Sequence, residues 1–360
     1  MIFKIGTFKE NSNLESNFYI KSSLGLASKY IAFSRSDLLS PVPNSSEELA
    51  NQNLKNNIFL SNNNNNNDIV EAVDYLIVTS EEMLSQANRL AEINRDVNNL
   101  NVKVVDLKTI YNEFNSSNPD VSAIRNFVKY VYDNSEGNLK YLCLFGDASY
   151  DYKDRIANNT NIVPSWHSLS SFSLSSSFIS DDFFGMMDPN EGTMANSDKL
   201  DIAVGRILAD DLLLANDMVD KIIKYDSKQS YGNWRNDFVL VSDDVDEVWE
   251  FNSLQKNLDR LGDEVSVRKP SINVKKLHSD SFQQIASAGG DRYPDVNNEF
   301  QNALETGALI INYLGHGGED GLASEFIFTK ETAQNTKYLL KSVLFNEVLA
   351  RFLFVNNDCF

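Results

Sequence analysis

Several short segments of this chain are apolar at nearly every position rather than at every second one. Residues 102–105, 141–145, 308–314 and 352–355 are the clearest, and 74–79, 202–207 and 238–241 are of the same type. A strand apolar on both faces has no side to show to water. Segments with helical spacing lie between them. One spans 81–97, with Ser80 placed as its N-cap. Another spans 120–132, its apolar face built from Val121, Ile124, Phe127, Val128 and Val131. Residues 210–225 and 251–261 repeat the pattern. This alternation predicts an α/β fold, a parallel sheet covered by helices on both faces. In such sheets ligands bind at the carboxyl ends of strands.

Length and composition set the surroundings. A chain of 360 residues suggests about two domains. Residues 1–34 read as β-hairpin material from the tail of an upstream β domain. Residues 35–69, rich in Ser, Pro and Asn, read as a linker. The net charge of −19 opposes binding to nucleic acid. No apolar run approaches a membrane span, and no secretory signal is visible at Met1. The chain stops at the end of an apolar run, which leads us to expect a fragment, incomplete at its C-terminus. The two cysteines, Cys143 and Cys359, do not make a disulfide framework. Cys143 lies inside an apolar run, where a buried, inert thiol is expected.

Polar, reactive or small residues follow four of the strands. They are Gly146-Asp147, Ser242-Asp243-Asp244, Gly315-His316-Gly317-Gly318 and Asn356-Asn357-Asp358-Cys359. A thiolate needs a neighbour that takes its proton, and an imidazole needs a carboxylate to orient it. The interval from His316 to Cys359 leaves room for one crossover helix within 331–343 between adjacent parallel strands. Both side chains would then emerge at one sheet edge. The amides of Gly317 and Cys359 could form an oxyanion hole. Each piece also has a plainer reading. Gly-His-Gly can be a turn, the cysteine a core residue, and the Asp pair a helix cap. His167 and His278 read as surface histidines. Ser180-Asp181-Asp182 could bind calcium with Asp188, or could simply turn the chain.

The strand ending Asn312-Tyr-Leu-Gly-His-Gly-Gly-Glu319 resembles the histidine motif of the gingipain family of cysteine peptidases. Ile110-Tyr-Asn-Glu-Phe114, Ala123-Ile-Arg-Asn-Phe127, Tyr141-Leu-Cys-Leu-Phe-Gly-Asp-Ala-Ser-Tyr-Asp-Tyr-Lys153, Ser180-Asp-Asp-Phe-Phe-Gly185 and Leu200-Asp-Ile-Ala-Val-Gly-Arg206 extend the likeness. They resemble one branch of the family, the peptidase or sortase of the type IX secretion system. The likeness covers about residues 70–360.

The resemblance implies a caspase-like (gingipain-like) parallel-sheet sandwich in two subdomains, 70–228 and 229–360, the second incomplete. It implies His316 as general base, Cys359 as nucleophile and Asp244 as the third member, with Asp243 able to substitute. Asp246 is the nearest match to the family's substrate-binding acid. No cofactor is implied for the chemistry, though a structural calcium is; no metal ligand set can be named. The implied substrates are secreted proteins with C-terminal sorting domains, cleaved through an acyl-enzyme. The implied partners are other type IX secretion components, at the outer membrane or cell surface. Two alternatives stay open. One is a non-catalytic family member that binds sorting domains as a scaffold. The other is an α/β hydrolase whose Asp clusters hold a metal.

Overall fold

Two parallel sheets, each apolar on both faces, organise the part of the chain that carries the site. The computed structural model describes residues 38–40, 51–61 and 70–335, except positions 171, 174–176, 196, 287, 289 and 319. The chain divides into two units, Met1–Asn51 and Gln52–Phe360, and every element below belongs to the second. The hairpin expected at 1–34, the strand expected at 352–355 and Cys359 lie outside the described residues.

The first sheet uses β1 (Tyr75–Thr79), β2 (Val102–Asp106), β3 (Tyr141–Phe145) and β4 (Ala203–Ile207). Their spatial order is β2-β1-β3-β4, and every pairing is parallel. Its helices are α1 (Leu84–Asn98), α2 (Leu107–Phe114), α3 (Val121–Asn134) and α4 (Leu212–Asp226). Leu76, Val78, Leu142 and Leu144 pack with Ile110 of α2 and Ile124, Phe127 and Val131 of α3. Ile77, Cys143 and Phe145 pack with Leu90 of α1 and Val219 of α4. Successive strand residues thus enter opposite cores, which is why these strands read as continuous apolar runs. Cys143 is buried as expected, and that burial pushes its thiol up to about 12.

Helix starts follow the capping rule at Asp106, Asp120 and Asp211, and Ser80 breaks it. Asp120 and Asp211 accept the amides of Ser122 and Leu214 at 2.6 and 2.8 Å. Ser80, the expected cap, accepts none. A 3-10 turn at Glu81–Met83 precedes α1, and the Ser80 hydroxyl is buried without a partner. Part of the expected linker is also packed. Leu54–Asn57 is a short helix, and Leu54, Ile58 and Phe59 join the first core. The Glu113 carboxylate accepts the Leu54 amide at 2.5 Å.

The second sheet uses β5 (Asp237–Ser242), β6 (Asn273–His278) and β7 (Ile310–Leu314) in the order β6-β5-β7, again parallel. The helix expected over 251–261 is two helices, α5 (Val248–Ser253) and α6 (Gln255–Arg268). Strand β6 and helix α7 (Pro294–Thr306) were not expected. The first carries the adjacent charges Lys275 and Lys276, as an edge strand can, and the second begins on a proline. Val239, Val241, Ile311 and Tyr313 pack with Phe300 and Leu304 of α7. Phe238, Leu240 and Leu314 pack with Leu258 of α6. Beyond β7 the chain forms three two-residue antiparallel strands, β8 (Gly317–Gly318), β9 (Gly321–Leu322) and β10 (Phe328–Thr329). Helix α8 (Lys330–Asn335) begins where the crossover helix was expected. No described helix is long and apolar enough to cross a membrane.

The long polar segment after β3 is tied down by Arg125 and Lys129 of α3, which donate to the carbonyls of Met186 and Met187, and by Arg206. Arg206 on β4 donates to the carbonyls of Gly146 and Val163 at 2.8 and 2.6 Å. It also grips both carboxylate oxygens of Asp181, at 2.8 and 2.7 Å. Asp181 is therefore the partner of a buried arginine. Arg206 has a side chain only 8% exposed, so removing it strands an anion and two carbonyls. Arg206→Ala should cost about 3–5 kcal/mol in urea-induced unfolding. A loss below about 1 kcal/mol would show that this ion pair does not organise the segment.

Candidate functional site

The site forms where β5 and β7 end side by side. Ser242 pairs with Leu314, and the Asp243 amide continues the ladder by donating to the Leu314 carbonyl at 3.2 Å. Asp243, the first residue past β5, and His316, the second past β7, then face each other. One carboxylate oxygen of Asp243 accepts the His316 amide at 2.8 Å and contacts Nδ1 of its ring at 2.9 Å. The other accepts the Asp244 amide at 3.1 Å. Gly315 makes the turn possible. A Cβ there would run into the Tyr313 hydroxyl and approach Cβ of Asp243 to 2.5 Å. The Tyr313 hydroxyl instead donates to the His316 carbonyl at 2.5 Å.

The two partners differ in access. The His316 side chain is 36% exposed, whereas that of Asp243 is 3% exposed. A buried acid thus holds an imidazole that can reach solvent. Burial pushes Asp243 up to about 6, against the pull of the His316 donors. The second ring nitrogen, Nε2, faces Oε1 of Glu250 at 3.4 Å, an ion-pair distance. Glu250 is 3% exposed and sits in the first turn of α5. No sequence motif singled it out.

The structure brings some expected residues together and separates others. Asp244, expected to orient the imidazole, turns elsewhere. Its Oδ2 accepts the Tyr293 hydroxyl at 3.2 Å and the Gln284 amide at 3.4 Å. The carboxylate on the ring is that of Asp243. Gly317 follows His316 in β8, paired with Leu322. Asp246 is exposed on the segment between β5 and α5. His278, expected at the surface, is buried. Its Nδ1 meets the Ser242 hydroxyl at 2.8 Å and its Nε2 meets Asp259 at 3.2 Å. This serine–histidine–aspartate chain cannot act as a nucleophile system, because Ser242 is fully buried. It satisfies polar groups at the end of β6. His167 is half-buried in a two-residue ladder with Ile179.

Among the described residues, Asp243, Asp244 and Glu325 form a buried group whose carboxylate oxygens lie within 4.8 Å of one another. The group fits calcium poorly. Both oxygens of Asp243 and one of Asp244 already accept hydrogen bonds. Calcium wants six to eight oxygens, and these three carboxylates alone do not supply them. Protonation of Glu325 would relieve the repulsion among them. Burial, then the nearby Asp244, Asp243 and Asp246, push Glu325 up to about 7.

Comparisons with known proteins were made on this basis. The sequence model of peptidase family C25 matches residues 69–347. Comparison with curated proteins gave no match. Among solved structures, the Arg-specific cysteine proteinase gingipain R matches 76% of this chain and 54% of its own, with TM-score 0.54 and 13% identity. The complex of the pro- and mature domains of RgpB from Porphyromonas gingivalis matches 75% of this chain and 54% of its own, with TM-score 0.51 and 14% identity. These two establish the caspase-like gingipain fold. Latent dimeric PorU from Porphyromonas gingivalis is 29% identical over 45% of this chain and 16% of its own, with TM-score 0.40. The match thus spans about half of the gingipain chains and a smaller share of PorU.

The raised Glu325 carries a stability signature. A carboxyl that holds its proton in the native state and loses it in the unfolded state destabilises the fold as pH rises between the two values. For Glu325 that window runs from 4.5, the ordinary value, to about 7. Glu325→Gln should therefore melt close to the wild type at about pH 4 and above it at about pH 8. A constant difference in melting temperature across that range would refute this assignment.

Proposed function

Because this chain belongs to peptidase family C25, a family of cysteine peptidases, we propose that His316 and Asp243 are the proton-handling pair of a thiol peptidase whose nucleophile is Cys359. One observation carries the reading. A buried carboxylate on one strand end holds, by 2.8 and 2.9 Å contacts, a half-exposed imidazole on the next. Asp243 fixes the ring with Nδ1 as the donor, which leaves Nε2 to accept a proton. The Cys359 thiol gives up its proton to the ring, and the sulfur attacks a peptide carbonyl. The imidazolium then protonates the departing amine, leaving an acyl-enzyme. The amides of Gly317 and Cys359 stabilise the tetrahedral oxyanion, and Asp246 contacts a substrate cation. Asp244 supports the pair through its amide, which donates to Asp243.

The finer reading is a sortase-like peptidase that removes C-terminal sorting domains from secreted proteins. The motifs at 141–147, 180–185 and 200–206 support it, because they resemble the type IX secretion branch rather than the gingipains at large. Water or an amine would release the acyl group. The same likeness supports the reading that it works at the outer face of the outer membrane, beside other type IX secretion components. A structural calcium remains a proposal without an assigned site.

The test is thiol labelling. A peptidyl electrophile should modify Cys359 in the folded protein, and His316→Ala or Asp243→Asn should slow that reaction about a hundredfold or more. Asp244→Asn should slow it less than Asp243→Asn does. Equal labelling rates in wild type and His316→Ala would overturn the peptidase reading and favour a scaffold that binds sorting domains without cutting them. Incubation with a protein bearing such a domain, read by mass spectrometry, tests the finer reading. Failure to cut there, alongside normal labelling, would remove only the sorting role.

A further inference from the structure

The ring of His316 is faced by carboxylates at both nitrogens. Asp243 reaches Nδ1 from the end of β5, and Glu250 reaches Nε2 from α5. Asp244 and Glu325 lie beyond Asp243, and Asp246 lies on the segment that leads into α5. Nε2 is the nitrogen that the peptidase reading leaves to carry the moving proton. A carboxylate 3.4 Å from that nitrogen stands beside the proton's destination.

Glu250 is held there by its own helix. Its Oε2 accepts the Glu247 amide at 2.7 Å, and the Glu247 side chain accepts the Glu250 amide in return. This reciprocal capping box fixes the side chain and leaves Oε1 turned to His316. The arrangement separates two jobs within one carboxylate. One oxygen caps a helix, for which a neutral amide would serve equally well. The other presents charge to the imidazole, which an amide cannot do.

We propose that Glu250 is a positioning residue of the catalytic imidazole, pairing by charge with the Nε2 edge of His316 while its second oxygen caps α5. The proposal takes the word catalytic from the peptidase reading above. When the ring takes up the thiol proton, Nε2–H then faces a fixed anion as well as the sulfur. Glu250 acts through His316 and forms no bond to substrate. A nearby anion favours the protonated imidazole and disfavours the thiolate, so its removal lowers both limbs of a thiol reactivity profile.

The variant Glu250→Gln preserves the capping role and removes the charge. It should melt as the wild type does. The pH profile of Cys359 alkylation by iodoacetamide should move to lower pH by roughly half a unit or more. Glu250→Ala, which also loses the cap, should melt lower as well. The chain has three histidines, so the ring signal of His316 can be followed by NMR in the same samples. Its titration should shift in Glu250→Gln in the same direction. Superimposable alkylation profiles and ring titrations would assign Glu250 to the cap alone and overturn the proposal. Should wild-type Cys359 react independently of His316, the peptidase reading fails. The ring titration then decides the Glu250 contact by itself, a shift supporting it and no shift ending it.

Discussion

The pairing of Ser242 with Leu314 across β5 and β7 is the constraint on which the site depends. It brings the first residues past both strand ends into register, and the amide of Asp243 then continues the ladder onto the Leu314 carbonyl. A one-residue slip would turn every side chain of β7 to the opposite core and carry His316 away from Asp243. The slip is resisted from both faces, because Ile311 and Tyr313 enter one core while Leu314 enters the other. Packing that looks purely structural therefore sets a chemical distance. Gly315 completes the geometry, since a side chain there has no space between Tyr313 and Asp243.

The site concentrates buried acids around one imidazole. Asp243, Asp244, Glu250 and Glu325 are all more than nine-tenths buried. Burying a carboxylate is costly unless donors compensate it. Asp243 receives two backbone amides and the imidazole, Asp244 receives Tyr293 and Gln284, and Glu250 receives the Glu247 amide. Glu325 is relieved by a proton, its value raised to about 7. Such an arrangement trades stability for a preset field at the ring, the pattern expected of a functional site.

The first sheet does different work. It buries Cys143 on the face covered by α1 and α4, where the thiol is driven up to about 12 and is inert as a nucleophile. It also carries Arg206, whose guanidinium gathers Gly146, Val163 and Asp181 at the end of β4. The same chain thus spends its acids in two ways, as an arginine partner in one sheet and as an imidazole holder in the other.

The sequence by itself determined the fold class, because only a parallel sheet covered on both faces accepts strands that are apolar throughout. It also singled out His316 as a candidate, because glycines crowd around it directly after an apolar strand, and its motif pointed to the family. It did not determine β6 and α7, whose lysines and asparagines hide their periodicity, or the packed residues Leu54, Ile58 and Phe59 within an Asn-rich stretch. The tertiary structure alone decided between Asp243 and Asp244. Neighbours in sequence point in different directions past a strand end, and only the register with β7 selects which one meets the ring. It alone revealed Glu250, because a residue on a short helix approaches His316 through folding and not through any spacing along the chain.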